Sequence, residues 1–253
     1  MFSKFKEFEK ELRNDKFTLA FNFNNEIYCR QTRGRIRIIK IPLKNSEDLS
    51  FLAGLIIGDG HLGKKKKRIQ IEMANKETLY KAVKIFYNVF YIKTRLRKVK
   101  KQKINYSQTW RIVFESKEIS LFFKKVFEIP LGKKSHIAKV PSVIFDSNKG
   151  CKKSFIKGLF FADGSFKKKT IRFSSRSQKL VDGLFDLFES IGFNAVKRSY
   201  KNKVLGSNYF ELFLMTREAE RFKSEVPDIL IKTKPESPSL AMAQGRIVRN
   251  LRI

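Results

Sequence analysis

The chain has 253 residues, 42% of them hydrophobic with 25 Phe, enough for one large domain or two of about 100 residues each and too apolar for a disordered basic tail. Its 55 Lys and Arg against 24 Asp and Glu give a formal charge of +31, far more of one sign than solubility requires. That charge implies a polyanionic partner, nucleic acid before an anionic membrane surface, and two Cys exclude a disulfide scaffold.

The chain begins with MFSKFKEFEKELRNDK, which is charged and amphipathic and lacks the apolar core of a signal peptide. No run of 18 apolar residues follows that could cross a membrane. With Cys29 and Cys151 read as reduced thiols, the expected location is intracellular: the cytoplasm of a prokaryote or an organelle matrix, not secreted. RGRIRIIKIP, ending at Pro42, alternates as a strand does, and residues 1–45 read as an N-terminal extension.

FLAGLIIGDGHL (51–62) is an apolar helix ending in Asp-Gly. Asn45 or Ser46 caps it, Glu47 and Asp48 suit its first turn, and Gly60 is expected to end it in the left-handed conformation. A lysine-rich turn leads to a strand, RIQIEM (68–73). NKETLYKAVKIFYNVF (75–90) has helical spacing at Leu79, Val83, Phe86, Val89 and Phe90. KTRLRKVK and TWRIVFES form a strand pair, and EISLFFKKVFEI (118–129) a short helix.

FIKGLFFADGSF (155–166) then repeats the opening, with Asp163 at the place of Asp59, 104 residues on. A strand (167–177), a helix (178–193), a hairpin through Gly206 and a last helix (217–226) follow in the same order. The predicted fold is α+β, two pseudo-twofold-related αββαββα halves. Residues 46–139 form the first, 140–154 the linker, 155–234 the second and 235–253 a tail.

Small residues four apart, Gly54 and Gly58 in one copy and Gly158 and Ala162 in the other, let two helix backbones approach closely. Packed face to face, they would set Asp59 and Asp163 side by side. An acid at a helix C-terminus opposes the macrodipole, and two converging acids repel. Rule-breaking that occurs twice in register points to function. A divalent metal resolves the conflict, because carboxylates and backbone carbonyls are hard oxygen ligands, and metal can activate water at a phosphodiester. Zinc is excluded by the shortage of Cys and His, and DGHLGKKKKR lacks Walker-loop spacing.

LAGLIIGDG and IKGLFFADG resemble the signature helices of the LAGLIDADG homing endonucleases in their single-chain, two-repeat form. The resemblance covers most of residues 46–234. It implies a saddle of antiparallel β-ribbons with the signature helices between the halves. It also implies a monomer that cuts both strands of a long, non-palindromic DNA site and leaves short 3′ overhangs. Carried over, Asp59 with the Gly58 carbonyl and Asp163 with the Ala162 carbonyl would bind Mg²⁺, with Mn²⁺ or Ca²⁺ as substitutes for binding. A basic residue in each half would face the developing oxyanions. LGKKS offers Lys133 or Lys134, and ILIKTKPE offers Lys232 or Lys234; Lys134 and Lys232 are the pair expected.

Alternation along the strands sorts candidate DNA contacts onto one face: Arg68, Gln70 and Glu72 in the first half, Thr170, Arg172, Ser174 and Arg176 in the second. Arg95, Arg97, Arg111, Lys197, Arg198 and Lys201 would extend that surface or meet phosphates. The alternatives are an intron RNA maturase, whose partner would be host intron RNA, and a DNA-binding protein that does not cleave.

Overall fold

The structure, a computed structural model, describes residues 3–15, 18–23, 26–31, 38–65, 67–99, 108–167, 169–201 and 206–226. An N-terminal helix, α1 (Ser3–Arg13), precedes a small antiparallel sheet of β1 (Thr18–Phe23), β2 (Glu26–Gln31) and β3 (Ile38–Ile41). The first repeat runs α2 (Glu47–Gly58), β4 (Gly60–Leu62), β5 (Arg68–Met73), α3 (Lys76–Phe90), β6 (Leu96–Lys98), β7 (Trp110–Glu115) and α4 (Lys117–Lys125). After a short helix, α5 (Ser142–Phe145), the second runs α6 (Lys149–Asp163), β8 (Gly164–Lys167), β9 (Thr170–Ser175), α7 (Gln178–Ser190), β10 (Val196–Lys201), β11 (Asn208–Leu214) and α8 (Thr216–Glu225). The two four-stranded sheets, β4-β5-β7-β6 and β8-β9-β11-β10, have the same order. The α+β fold of two αββαββα halves is therefore the one the repeat predicts.

Local sequence explains the element ends. Ser46 accepts from the Leu49 N–H at the start of α2, and Asn75, Ser116 and Ser177 cap α3, α4 and α7 in the same way. Asn45 instead donates to Ser50 Oγ and Ser147 Oγ, tying α2 to the turn after α5. α6 starts at Lys149, inside the segment read as linker, because Asn148 accepts from the Cys151 N–H and caps it there.

Gly60 departs from expectation. The left-handed glycines are Gly132, Gly192 and Gly206 among the described residues, while Asp59 ends α2 in a right-handed conformation and Gly60 opens β4. The glycine is needed for space: a methyl there would overlap Ile56 Cα and lie 2.7 Å from the Ile56 carbonyl oxygen. Gly164 is extended and lies as close to Phe160. In both repeats the chain doubles back against its own signature helix, and only glycine lets it.

The core is continuous across both halves. α2 and α6 pack backbone to backbone: a methyl on Gly54 would overlap the Phe155 carbonyl, and one on Gly158 would overlap the Phe51 carbonyl. Each half also holds a phenylalanine cluster between its outer helices. Phe90 meets Phe122 at 5.5 Å, edge to face, and Phe188 meets Phe222 at 5.4 Å in the same way. Phe5 and Phe8 of α1 pack on Phe122, so the N-terminal helix belongs to the first core. Cys29 and Cys151 are buried and free.

Candidate active site and nucleic-acid interface

Where α2 and α6 end together, their carboxylates meet a lysine from a third segment. A methyl on Gly58 would overlap Ala162 Cβ and lie 3.2 Å from Asp163 Oδ2, so the two Asp-Gly corners adjoin. The loop after α4 reaches this corner through Gly132, whose positive φ of 79° turns it and whose N–H donates to the Leu62 carbonyl at 2.7 Å. That turn delivers Lys134: its Nζ donates to the carbonyls of Gly58 and Gly60, both at 2.7 Å. Burial lowers the Lys134 pKa, while the charges of Asp163 and Asp59 pull it back up. Lys133 is exposed beside it. Lys134 is thus the lysine the fold brings to the acids. Lys232 and Lys234 lie outside the described residues.

Lys134 and Asp163 border a cleft of about 370 Å³ lined also by Gly58, His61, Ser175 and Arg176, among others, while Asp59, next to Gly58 in the chain, does not line it. His61, on β4, and Ser135 share the cleft with Asp163; β4 and the loop after α4 bring them there. Arg176 lies just past β9, donates to Ser207 Oγ at 3.0 Å and lines the cleft together with Ser174 of the strand row. The donor chemistry of the corner suits a hard divalent cation: two carboxylates and the carbonyls of Gly58 and Ala162, all oxygen. No three Asp, Glu, His or Cys side chains cluster among the described residues, so the two carboxylates would need carbonyls and water to complete a shell. The Gly58 carbonyl would be shared with the Lys134 ammonium, which already uses one of its two lone pairs.

The ribbon faces turned away from the helices carry most of the predicted contacts. Ile69, Ile71 and Met73 are buried, leaving Arg68, Gln70 and Glu72 on the other face; Ile171 and Phe173 likewise leave Thr170, Arg172 and Ser174. Arg68 donates to Gln70 Oε1 at 3.0 Å. Glu72 is bound by its cross-strand partner Arg111 at 2.7 Å and by Thr109 Oγ1 at 2.9 Å, so its carboxylate is already engaged. Arg97 stands opposite Arg111 on β6, and Arg95 is exposed just before that strand. Lys197 points elsewhere. It pairs with Asp182 at 2.8 Å and lies over Phe185, both on α7, because neighbouring strand residues face opposite sides. Lys201 has its parity, and Arg198 the opposite one.

One acid escaped the sequence reading. Glu211 of β11 is fully buried between Arg172 and Arg198. Its sequence signal was an acid set among the apolar residues of NYFELFLMT.

The model of the LAGLIDADG-like domain matches residues 46–126 and again 150–227. The chain belongs to that family. The two LAGLIDADG-like matches coincide with the two αββαββα repeats, so each contains one of the Asp-Gly corners. Among curated proteins, the chain is 26% identical over 199 residues to a probable translation initiation factor IF-2 of Methanocaldococcus jannaschii, covering 74% of this chain and 16% of that one. It is also 24% identical over 236 residues to an elongation factor 2 of Methanopyrus kandleri, covering 90% and 17%. A DNA polymerase of Thermococcus sp. is 35% identical over 80 residues, 31% of this chain and 5% of that one. The chain therefore spans less than a fifth of these relatives, whose names range from translation factors to a DNA polymerase. Among solved structures, I-DmoI in complex with DNA and Ca aligns with TM-score 0.51 and 16% identity over 79% of this chain and 97% of that one. I-WcaI bound to its DNA recognition sequence aligns with 0.50 and 20% identity over 77% and 85%. At such identities the likeness is one of fold.

Proposed function

We propose that this LAGLIDADG-like chain is a site-specific DNA endonuclease. It would lay its two β-ribbons along the major groove of a long, non-palindromic duplex and hydrolyse both strands near the α2–α6 corner, leaving short 3′ overhangs. The observation that carries the reading is the meeting of Asp59, Asp163 and Lys134 where the two repeats touch. Each acid sits at a helix end whose dipole disfavours it, which supports a functional role over a capping one.

Asp59 and Asp163, with the Gly58 and Ala162 carbonyls, would hold divalent metal, Mg²⁺ in the first instance. Such an ion supplies charge stabilisation at the phosphodiester and a more acidic water. Lys134 is held by two carbonyls, which would fix its ammonium beside the scissile phosphate. There it can stabilise negative charge developing on a phosphate oxygen or leaving group. The ribbons supply the reading, with arginine suited to guanine and Gln70 to adenine. The two faces carry different residues, which supports an asymmetric target. The basic charge supplies affinity for any duplex.

The test incubates the protein with Mg²⁺ and a randomised duplex library, beside Asp59→Asn and Asp163→Asn. Metal-dependent double-strand breaks at one enriched site are expected, lost in both variants while binding to that site persists. Absence of any metal-dependent cut would sink the nuclease reading, and cutting by the variants would sink the site. Selective binding without cutting by the unaltered protein would favour a DNA-binding protein, and preference for structured RNA a maturase.

A further inference from the structure

Glu211 lies on the wrong face for a buried acid. Leu212 and Leu214 of β11 point into the core, so Glu211 and Phe213 point to the ribbon face with Arg172 and Ser174. Glu211 is nevertheless 0% exposed, and two guanidinium groups bury it. Arg198 Nε donates to its Oε2 at 2.7 Å from β10, directly across the strand pair. Arg172 Nη1 stands 3.3 Å from Oε1 on the other side, from β9, as an ion pair without an aligned hydrogen bond. The Arg198 guanidinium also lies over the Phe213 ring at 4.7 Å. Both arginine side chains remain open on their outer sides, 61% and 42% exposed for Arg198 and Arg172.

A carboxylate alone in this position would be costly to bury. Its two partners hold it, and it holds them. Arginine on an exposed strand is otherwise a flexible chain that loses entropy on each contact it makes. Glu211 anchors the Nε edge of Arg198 by a hydrogen bond and draws in Arg172 by charge, leaving the outer sides of both forks exposed with one net positive charge for the trio. Fixed forks of that kind match the O6 and N7 acceptors of guanine in the major groove.

We infer that Glu211 is a positioning residue for base recognition: it presents Arg172 and Arg198 as a rigid pair that reads guanine in the half of the target under β8–β11. This rests on the proposed reading of duplex DNA. The first half has an analogous row at the matching register, but the acid sits one strand over. There Glu72 of β5 pairs with Arg111 of β7, and Arg97 of β6 stands beyond. The two half-sites are thus read by differently wired rows.

The experiment measures base preference along the selected target, by competition among single-base-pair variants of the duplex. Unaltered protein is compared with Glu211→Gln, Glu211→Asp, and Glu72→Gln as the first-half counterpart. Glu211→Gln keeps volume and loses charge. It is expected to reduce a guanine preference of about tenfold at one or two adjacent base pairs of one half-site to under about threefold. Glu211→Asp is expected to restore part of that preference. Affinity for unrelated duplex is expected to hold or rise, since one negative charge is gone. Glu72→Gln is expected to act only in the other half-site. If Glu211→Gln does not fold, Arg198→Lys takes its place, since it keeps the charge but loses the fork, and it should blunt the same base pairs.

An unchanged preference profile in a folded variant, or a loss spread evenly over the whole target and over unrelated duplex, overturns the inference. If the unaltered protein selects no duplex at all, the DNA-reading function itself fails, a result distinct from either.

Discussion

Lys134 is the residue whose role the geometry sharpens most. Two carbonyls grip its ammonium and two carboxylates hold its charge against burial. Lys134→Met keeps much of the volume and removes the charge. It is expected to slow cleavage of the enriched site by about 10²-fold or more, the usual cost of one oxyanion donor. Binding of the uncut duplex should change little, because one cation among so many carries little of the affinity. Single-turnover cleavage rates and gel-shift titrations of the two proteins check this. Choosing Lys134 over Lys133 could not be done from LGKKS alone, since both lysines satisfy the pattern. Both border the cleft, and only the loop, turned against β4 at Gly132, decides that Lys134 is the one to reach the Gly58 and Gly60 carbonyls.

At the scale of elements, the α2–α6 contact carries both fold and site. Gly54 faces the Phe155 carbonyl, with the Leu159 backbone nitrogen 2.7 Å from where a methyl would sit. Gly54→Ala must push the helices apart. A destabilisation of about 1–3 kcal/mol is expected, the range for overpacking a close-packed core, and urea unfolding monitored by circular dichroism measures it. Helix α1 makes a second test. Phe8 is buried and sits 5.5 Å from Phe122, edge to face. Phe8→Ala is expected to cost about 3–5 kcal/mol by the same measurement, as for a core phenylalanine. An effect within about 0.5 kcal/mol, typical of surface changes, would show α1 to be a detachable arm.

For the whole molecule, the charge of +31 is the dominant fact. All 24 acids are already subtracted in that figure, so no ion pair within the chain reduces it. Binding to duplex should therefore be steeply salt-dependent. A protein making six to ten phosphate contacts loses about 10³–10⁵ in affinity between roughly 50 and 200 mM salt. Fluorescence anisotropy with a labelled duplex over that range checks it. A flat response would mean that the charge does not face the duplex. The base preference assigned to Arg172 and Arg198 should survive at high salt better than the total affinity, since counterion release does not depend on sequence.

Much of this molecule is written locally. Hydrophobic period, capping residues and the double Asp-Gly ending are short-range signals, and the second repeat supports the longer elements of the first, while the short strands β4 and β8 give too few alternating residues to be placed. The order of elements, the close helix contact through Gly54 and Gly158, and the two adjoining acids were all legible for that reason. Glycines 60 and 164 were legible as special but not in their purpose, because the atoms they make room for belong to the returning chain. What tertiary structure alone decided joins residues far apart in sequence: Lys134 to Gly58, Phe8 to Phe122, Lys197 to Asp182 and Glu211 to two arginines on separate strands. Strand parity says which face a side chain takes. It does not say which neighbours, on which strands, will be near enough to bury a charge.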